Sequence, residues 1–317
     1  MPNLLRSILL RLGYAAISLF FISLVTFLAD EIAPGDQATV LAGDKGSYET
    51  VLRLREELGL NRPWPVRYGE YIGGLARGDF GKSYFGTKEP IIDSLRQTIP
   101  MTATLATSAI VLASLIGLVF GTIGAIKKGN PVDSTILVVG TLGVTVPTFV
   151  LAPIFVKFFT EYLDLLPGVW KTDRVAPDVF YVIMPIVILA ARPAAQLTRL
   201  TRASMIETLQ QEFIKLARAK GVPASKLYLK HGLRNAILPV VTAIGTNFGY
   251  LLTGSYIMET TFLLPGIGSR AIEAIKKGDT PMIQATTLVA GAMFVGINLL
   301  VDIVSPLIDP RIRESQV

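Results

Sequence analysis

The sequence predicts an all-α polytopic membrane protein with six spans and both ends in the cytoplasm. Three observations carry this. Apolar residues make up 51% of the 317 and gather in uncharged blocks of about 20, the length that crosses a hydrocarbon core of about 30 Å. None of the blocks shows the short, strict alternation of a membrane β-strand. The polar segments between blocks switch between strongly basic and balanced, as the positive-inside rule requires of cytoplasmic and external loops.

The net charge of +6 has the same origin. It sits in loops beside apolar blocks, so membrane orientation accounts for it and no nucleic-acid partner is expected. With no Cys and a single His, the chain can form neither a disulfide nor a zinc site from Cys or a His pair. No metal site is expected. The first apolar run is too long for a leader's h-region and lacks a small-residue cleavage site, so a retained span is expected there.

Span 1 covers residues 9–29, with Arg6 and Arg11 at its leading end and Asp30 and Glu31 at the other. Residues 30–97 carry 9 Lys/Arg against 11 Asp/Glu and should fold as a small external segment. Residues 48–58 look helical there, and Pro63-Trp64-Pro65 breaks the pattern. Gly73, Gly74, Gly78 and Gly81 should make the later part turn-rich. Gly81-Lys82-Ser83 resembles the end of a P-loop, but Ala76 stands where that motif needs Gly and no apolar strand precedes it. It reads as a turn, so ATP and Mg must be bound by other chains.

Residues 98–126 are 29 uncharged residues, longer than a span needs, so 98–104 are expected at the external interface. Lys127 and Lys128 mark the inner end, and Gly129-Asn130-Pro131 makes an inner turn. Span 3, residues 134–156, contains Pro147 and Pro153 and should kink. Glu161, Asp164, Lys171, Asp173 and Arg174 follow in a mildly acidic external loop. Span 4 begins at Val179, but only 13 uncharged residues precede Arg192, so crossing requires Arg192-Pro193 and a reach to about Thr198. An Arg near a helix centre costs about 2.5–3.5 kcal/mol on insertion scales. Arg192 therefore either snorkels to the inner surface or lines a polar path.

From Arg192 to Arg234 there are 9 Lys/Arg and only Glu207 and Glu212, making this the most cytoplasmic loop. Residues 208–220 read as a helix with Phe213, Leu216 and Ala217 on one face. Gly221 suits the left-handed position past its end, and Pro223 the first position of a second helix that runs to Arg234 and into span 5. The elbow is rimmed by Arg218, Lys220, Lys226 and Lys230 and suits either a groove on a partner or an anionic lipid surface. Span 5 covers 236–258, residues 259–279 are balanced and external, and span 6 covers 282–301 before a cytoplasmic tail at 308–317.

This basic loop resembles the signature loop of the membrane subunits of bacterial ABC importers. Lys215-Leu216-Ala217 stands at that family's Glu-Ala-Ala position, Gly221 at its Gly, and Ile237-Leu238-Pro239 at its end. Ala217-Arg218-Ala219-Lys220-Gly221 and Lys230-His231-Gly232-Leu233-Arg234-Asn235 look like the dipeptide/oligopeptide branch. So do Leu58 to Pro63, Arg77 to Ser83, Glu259 to Gly268, the stretch 28–36, and Asp309-Pro310-Arg311-Ile312-Arg313.

The resemblance implies a type I importer permease: half of a path for a solute delivered by an external binding protein. A homologous second permease and two ATPase subunits would complete the assembly in a bacterial or archaeal cytoplasmic membrane. It implies a coupling loop at 199–235, with the coupling helix at Ala217, Arg218, Ala219, Lys220, Gly221, Val222 and Pro223 and flanking contributions from Glu212 and Lys215. Lys230, His231, Arg234 and Asn235 would orient the second helix, and His231 is read as a structural hydrogen-bonding residue rather than a proton relay. Peptides are the expected solute, with nickel, glutathione and oligosaccharides as alternatives.

Thr242, Thr246, Asn247, Tyr250 and Thr253 share a broad face of span 5. They line the path with Arg192, or else hydrogen-bond between helices. A proton- or sodium-driven carrier ranks second, because the spans hold no Asp, Glu or His apart from their flanks. A membrane-embedded enzyme ranks last, since no nucleophile–base pair lies within the spans.

Overall fold

The computed structural model describes residues 2–32, 37–43, 46–85, 89–171 and 178–308. Among them there is no strand, only an isolated bridge between Lys82 and Pro90. The helices are α1 (Pro2–Ile32), α2 (Gln37–Ala42), α3 (Tyr48–Glu57), α4 (Trp64–Leu75), α5 (Ile91–Ile126), α6 (Pro131–Thr145) and α7 (Thr148–Phe155). They continue as α8 (Asp178–Leu209), α9 (Glu212–Ala219), α10 (Ala224–Lys226), α11 (Arg234–Thr261), α12 (Ile267–Lys277) and α13 (Thr280–Ile308). Among the described residues, five stretches are long and apolar enough to cross a membrane: Leu9–Ile32, α5, Val179–Leu209, Ala224–Thr261 and Thr280–Ile303. Helices suit them because each backbone N–H and C=O is satisfied within its own segment.

Among these residues a sixth span is counted if α6 is joined to the stretch from Thr148 to Tyr162, and the two meet at 100°. The expected kink is therefore a break. Pro147 has no N–H to donate and pushes Val146 out of the helical region, to ψ 120°. Thr148 restarts the helix, which ends in a π-turn over Val156–Tyr162. Asp173 and Arg174 of the following loop, Ala33 to Asp36 and the tail motif from Asp309 lie outside the described residues.

Several boundaries move. Thr98 and Thr102, expected at an interface, are buried inside the longer α5. Helix α8 continues far beyond Thr198, which puts Arg192 near its middle. Pro63-Trp64-Pro65 does more than break a pattern, for it opens α4, which then carries Gly73 and Gly74 through its last turn. Of these four glycines, Gly78 and Gly81 take positive φ, at 78° and 77°. At the P-loop lookalike, Gly81 N–H donates to Asp79 Oδ1 (2.9 Å), Lys82 bridges Pro90 and the Ser83 hydroxyl donates to Asp279.

The segment from α2 to Ser83-Tyr84 is fastened to the ends of α1 and α13. Asp30 accepts from Thr280 Oγ1 (2.8 Å), and Asp279 from the Tyr84 N–H (3.2 Å). Burial, helped by Asp30 and Asp279, pushes the Tyr84 hydroxyl up to about 12, so it stays a donor to Gln37 (3.1 Å). Phe27 stacks against Tyr68 and Tyr71, with ring centres 5.3 and 5.9 Å away.

The largest helix contact is α5 on α8, and glycines permit it. A Cβ at Gly117 would stand 2.5 Å from Leu197 Cβ, and one at Gly121 would stand 2.5 Å from Thr201 Cβ and 2.7 Å from Thr198 O. Gly245 and Gly249 do the same for α11 against Val301 and Phe294 of α13. Between lipid-like surfaces no hydrophobic gain drives association, so close backbone approach has to supply it. Gly121→Leu should overpack the α5–α8 seam and cost about 1–3 kcal/mol or more. Gly140→Ala, where a Cβ meets nothing, should change stability by about 1 kcal/mol at most, toward stabilisation. Melting curves of the detergent-purified variants compare the two.

Candidate functional site

Two features stand out, an exposed elbow at one end of the bundle and a polar cavity in its middle. The elbow begins where α8 ends. Gln210 and Gln211 are not helical, so the helix expected over residues 208–220 is two helices, α8 and α9, separated at Gln211. Glu212 in the first turn of α9 and Arg218 in its last both complement the helix dipole.

The far end of α9 is closed by a Schellman motif. Val222 N–H donates to Ala217 O (3.2 Å) and Gly221 N–H to Arg218 O (3.0 Å). Gly221 sits at φ 77°, where a side chain would be strained although a Cβ there meets nothing. Pro223 is extended, at ψ 143°, so it caps α10 from outside and is not its first residue. From Leu227 to Leu233 the chain makes a π-turn that leads straight into α11. Gly232 lies there against α8, where a Cβ would come within 3.2 Å of Met205 and 3.3 Å of Leu209.

One apolar side chain of α9, Ile214, points inward at 1% exposure. Phe213 and Leu216 are 44% and 57% exposed, so the expected apolar face turns away from this chain. Arg218, Ala219, Lys220, Lys226 and Lys230 are exposed around them. Lys215, which replaces the motif's Glu, pairs with Glu212 one turn back (2.7 Å) on the open surface, where such pairs contribute little. His231 gives its backbone carbonyl to Asn235 Nδ2 (2.7 Å), which links successive turns, and Arg234 is exposed.

The cavity encloses about 720 Å³ between α8 and α11, with Thr148 of the broken span at its edge. Arg192, Gln196, Thr246, Asn247, Tyr250 and Thr253 supply its polar lining, and Leu189, Leu200 and Leu251 part of its apolar lining. Five of the six path residues named from sequence thus meet in one place. Thr242 does not line it, although its carbonyl accepts from Thr246 Oγ1 (3.2 Å).

Besides Asp279, two carboxylates that read as flanks or loop residues are buried. Asp133 takes both Arg202 Nε (2.5 Å) and Nη2 (2.7 Å), and also the Gly129 N–H (3.0 Å), which locks the turn before α6 onto α8. Glu259, fully buried, accepts from Thr102 Oγ1 (2.7 Å) and the N–H groups of Gly268 (2.7 Å) and Ser269 (3.2 Å). It anchors the start of α12 to α11 and α5. Their spacing in sequence gives no signal, because each partner is supplied by a different element.

Comparison with known proteins places this architecture. Residues 113–314 match the family described as binding-protein-dependent transport system inner membrane component, and residues 4–106 match its N-terminal companion. A probable peptide ABC transporter permease of Sinorhizobium fredii is 37% identical over 96% of this chain and 98% of its own. The dipeptide transport system permease DppB of Lactococcus lactis is 34% identical over 98% and 100%, and the glutathione permease GsiC of Escherichia coli 34% over 93% and 95%. A chain of the inward-facing MetNI methionine ABC transporter superposes with a TM-score of 0.57 at 17% identity, covering 69% of this chain and 98% of that one. The two share a fold.

The chain belongs to the binding-protein-dependent transport system inner membrane component family, in the branch whose members carry peptide, dipeptide and glutathione permease names. It is a multi-pass inner-membrane protein, and its relatives are transport subunits rather than enzymes.

Asp133→Leu should leave Arg202 without its partner and cost near the lower end of the roughly 3–5 kcal/mol typical of broken buried pairs. Adding Arg202→Leu should recover most of that loss, and a double-mutant cycle on unfolding midpoints measures it.

Proposed function

We propose that this chain forms half of the translocation path of an ATP-driven importer and is coupled to its motor through the elbow around Gly221. The single observation that carries this is the outward display of Phe213 and Leu216 on a rigidly closed helix ringed by cations. Exposed apolar side chains on a short helix suit a groove on a partner protein better than a lipid surface, because the Schellman closure and the Gly232 contact fix their position. The partners are two ATPase subunits, which bind the ATP and Mg, a homologous second permease in a heterodimer, and an external binding protein. Residues 199–235 form the coupling loop.

The orientation is N-in and C-in, with six spans if the broken pair α6–α7 crosses once. Residues 30–97 lie outside as a segment before the five-span core at 98–307, and 308–317 form an inner tail. The membrane is the bacterial or archaeal cytoplasmic membrane. The elbow and the α2–α4 segment lie at opposite ends of the bundle, because the start of α5 packs near α12 and its end near Met205 and Ala236. Moving a two-state path from 1:99 to 99:1 takes about 5.5 kcal/mol of differential interaction, which a braced helix can transmit.

The solute is a di- or oligopeptide, as the names of the relatives suggest, with glutathione next and nickel or an oligosaccharide as further possibilities. An ion-coupled carrier fits less well. The buried carboxylates Asp133, Glu259 and Asp279 are each committed to fixed partners, leaving none free to cycle a proton or sodium.

Leu216→Asp changes only an exposed position, so the fold should persist while retention of ATPase subunits on purification falls at least about tenfold, roughly 1.4 kcal/mol. Uptake should fall with it. Full retention and uptake would remove the elbow from the coupling role. In this Cys-free chain, Arg218→Cys should react only with reagents that reach the cytoplasm, and Glu70→Cys with impermeant external ones. The reverse labelling pattern would invert the topology.

A further inference from the structure

The cavity lining has an asymmetry in its hydrogen-bonding capacity. Three of its polar side chains on α11 donate to their own helix: Thr246 Oγ1 to Thr242 O (3.2 Å), Asn247 Nδ2 to Ala243 O (2.8 Å) and Thr253 Oγ1 to Tyr250 O (3.1 Å). A hydroxyl has one proton to give, so the two threonines offer the cavity acceptor lone pairs, and Asn247 offers its amide oxygen beside its second N–H. Arg192, from α8, is the only charged lining residue, and no acidic side chain joins it among the described residues. It forms no ion pair among them. About 20 Å of helical rise lies on either side of it in α8, and the cavity is open enough to admit the water that a guanidinium there requires.

We propose that Arg192 is the anion-recognising residue of this cavity and receives a carboxylate of the passing solute. The oxygens of Thr246, Asn247 and Thr253 meet the solute's N–H groups. The guanidinium fork matches a carboxylate with two parallel N–H···O bonds. Arg192 stands across from acceptors and not from an acid, so the lining complements a short zwitterion whose carboxylate is free. A dipeptide is the simplest such molecule. This rests on the reading of the cavity as the solute path.

The test places a thiol at the cavity wall by Thr246→Cys in the full chain, assembled with its partners in membrane vesicles. Its reaction with sulfonatoethyl methanethiosulfonate is compared with that of the trimethylammonioethyl reagent, each normalised to a free thiol. With Arg192 present the anion-to-cation rate ratio should exceed that of the Arg192→Gln variant about tenfold, the size expected of one nearby unit charge. Arg192→Lys should keep most of the preference, which also shows that the site survives substitution. Millimolar dialanine should slow labelling at least about twofold while Arg192 is present, as occupancy above Kd requires, and dialanine amide should not. An unchanged ratio in Arg192→Gln, or equal protection by dialanine and its amide, overturns the assignment while leaving the cavity as a path. Failure of both reagents to reach the thiol overturns the path reading and the assignment with it.

Discussion

The contact between α5 and α8 is the constraint on which the rest of the molecule depends. Gly117, Gly121 and Gly124 form a stripe with no side chains, and α8 lies in it closely enough that a Cβ added at Gly117 or Gly121 would collide, while one at Gly124 would stand 3.3 Å from the side chains of Arg202 and Asp133. Helices in a bilayer gain little from merely hiding apolar surface, so dispersion between closely approached backbones has to hold them. The seam also fixes the rotation of α8 about its own axis. Leu197, Thr198 and Thr201 face the glycines, which turns Leu189, Arg192, Gln196 and Leu200 toward the cavity and α11. At the end of the same seam Gly124 leaves room for Arg202 to reach Asp133. One stripe of glycines therefore positions the polar wall of the cavity and the ion pair that holds α6.

Departures from regular helix occur where something is exposed or enclosed. Pro147 breaks the third apolar stretch, and the restart at Thr148 opens onto the cavity. Irregular backbone at such a depth is tolerated where it lines a cavity or is buried in protein. The π-turn at Leu227–Leu233 falls where the elbow joins α11, and Gly232 within it lets α8 approach. Gln210–Gln211 and Gly221 then isolate α9 as a helix of eight residues with a single buried anchor, Ile214. Such a helix keeps its shape through its closing hydrogen bonds, so its outer face is free to meet another molecule.

The buried acids serve the frame. Glu259 satisfies two N–H groups in the first turn of α12 that no intrahelical carbonyl can reach. Gly266 packs directly against its carboxylate, where a Cβ would stand 2.2 Å from Cδ. Asp279 and Asp30 accept from Tyr84, Ser83 and Thr280 and so tie the α2–α4 segment down. A charge read from sequence as marking a loop is in each case a joint between elements.

The sequence by itself determined the class of the molecule. Blocks of apolar residues long enough to cross a bilayer, basic and balanced segments between them, and a Gly–Pro elbow in the most basic one were all local signals. They were legible because hydrogen-bond closure and charge placement in a membrane act residue by residue along the chain. The left-handed Gly221 was readable for the same reason, as were Arg192 and four of the five polar residues of span 5 that meet in the cavity. The Gly117-x-x-x-Gly121 spacing was also a readable signal for close helix packing and passed unused. Tertiary structure alone decided that Pro147 breaks its span by 100°, that Phe213 and Leu216 face outward, and that Asp133 and Glu259 are joints. Each of these depends on a partner distant in sequence, and a bend angle or a buried ion pair is set by the shape of what lies opposite, which no local pattern records.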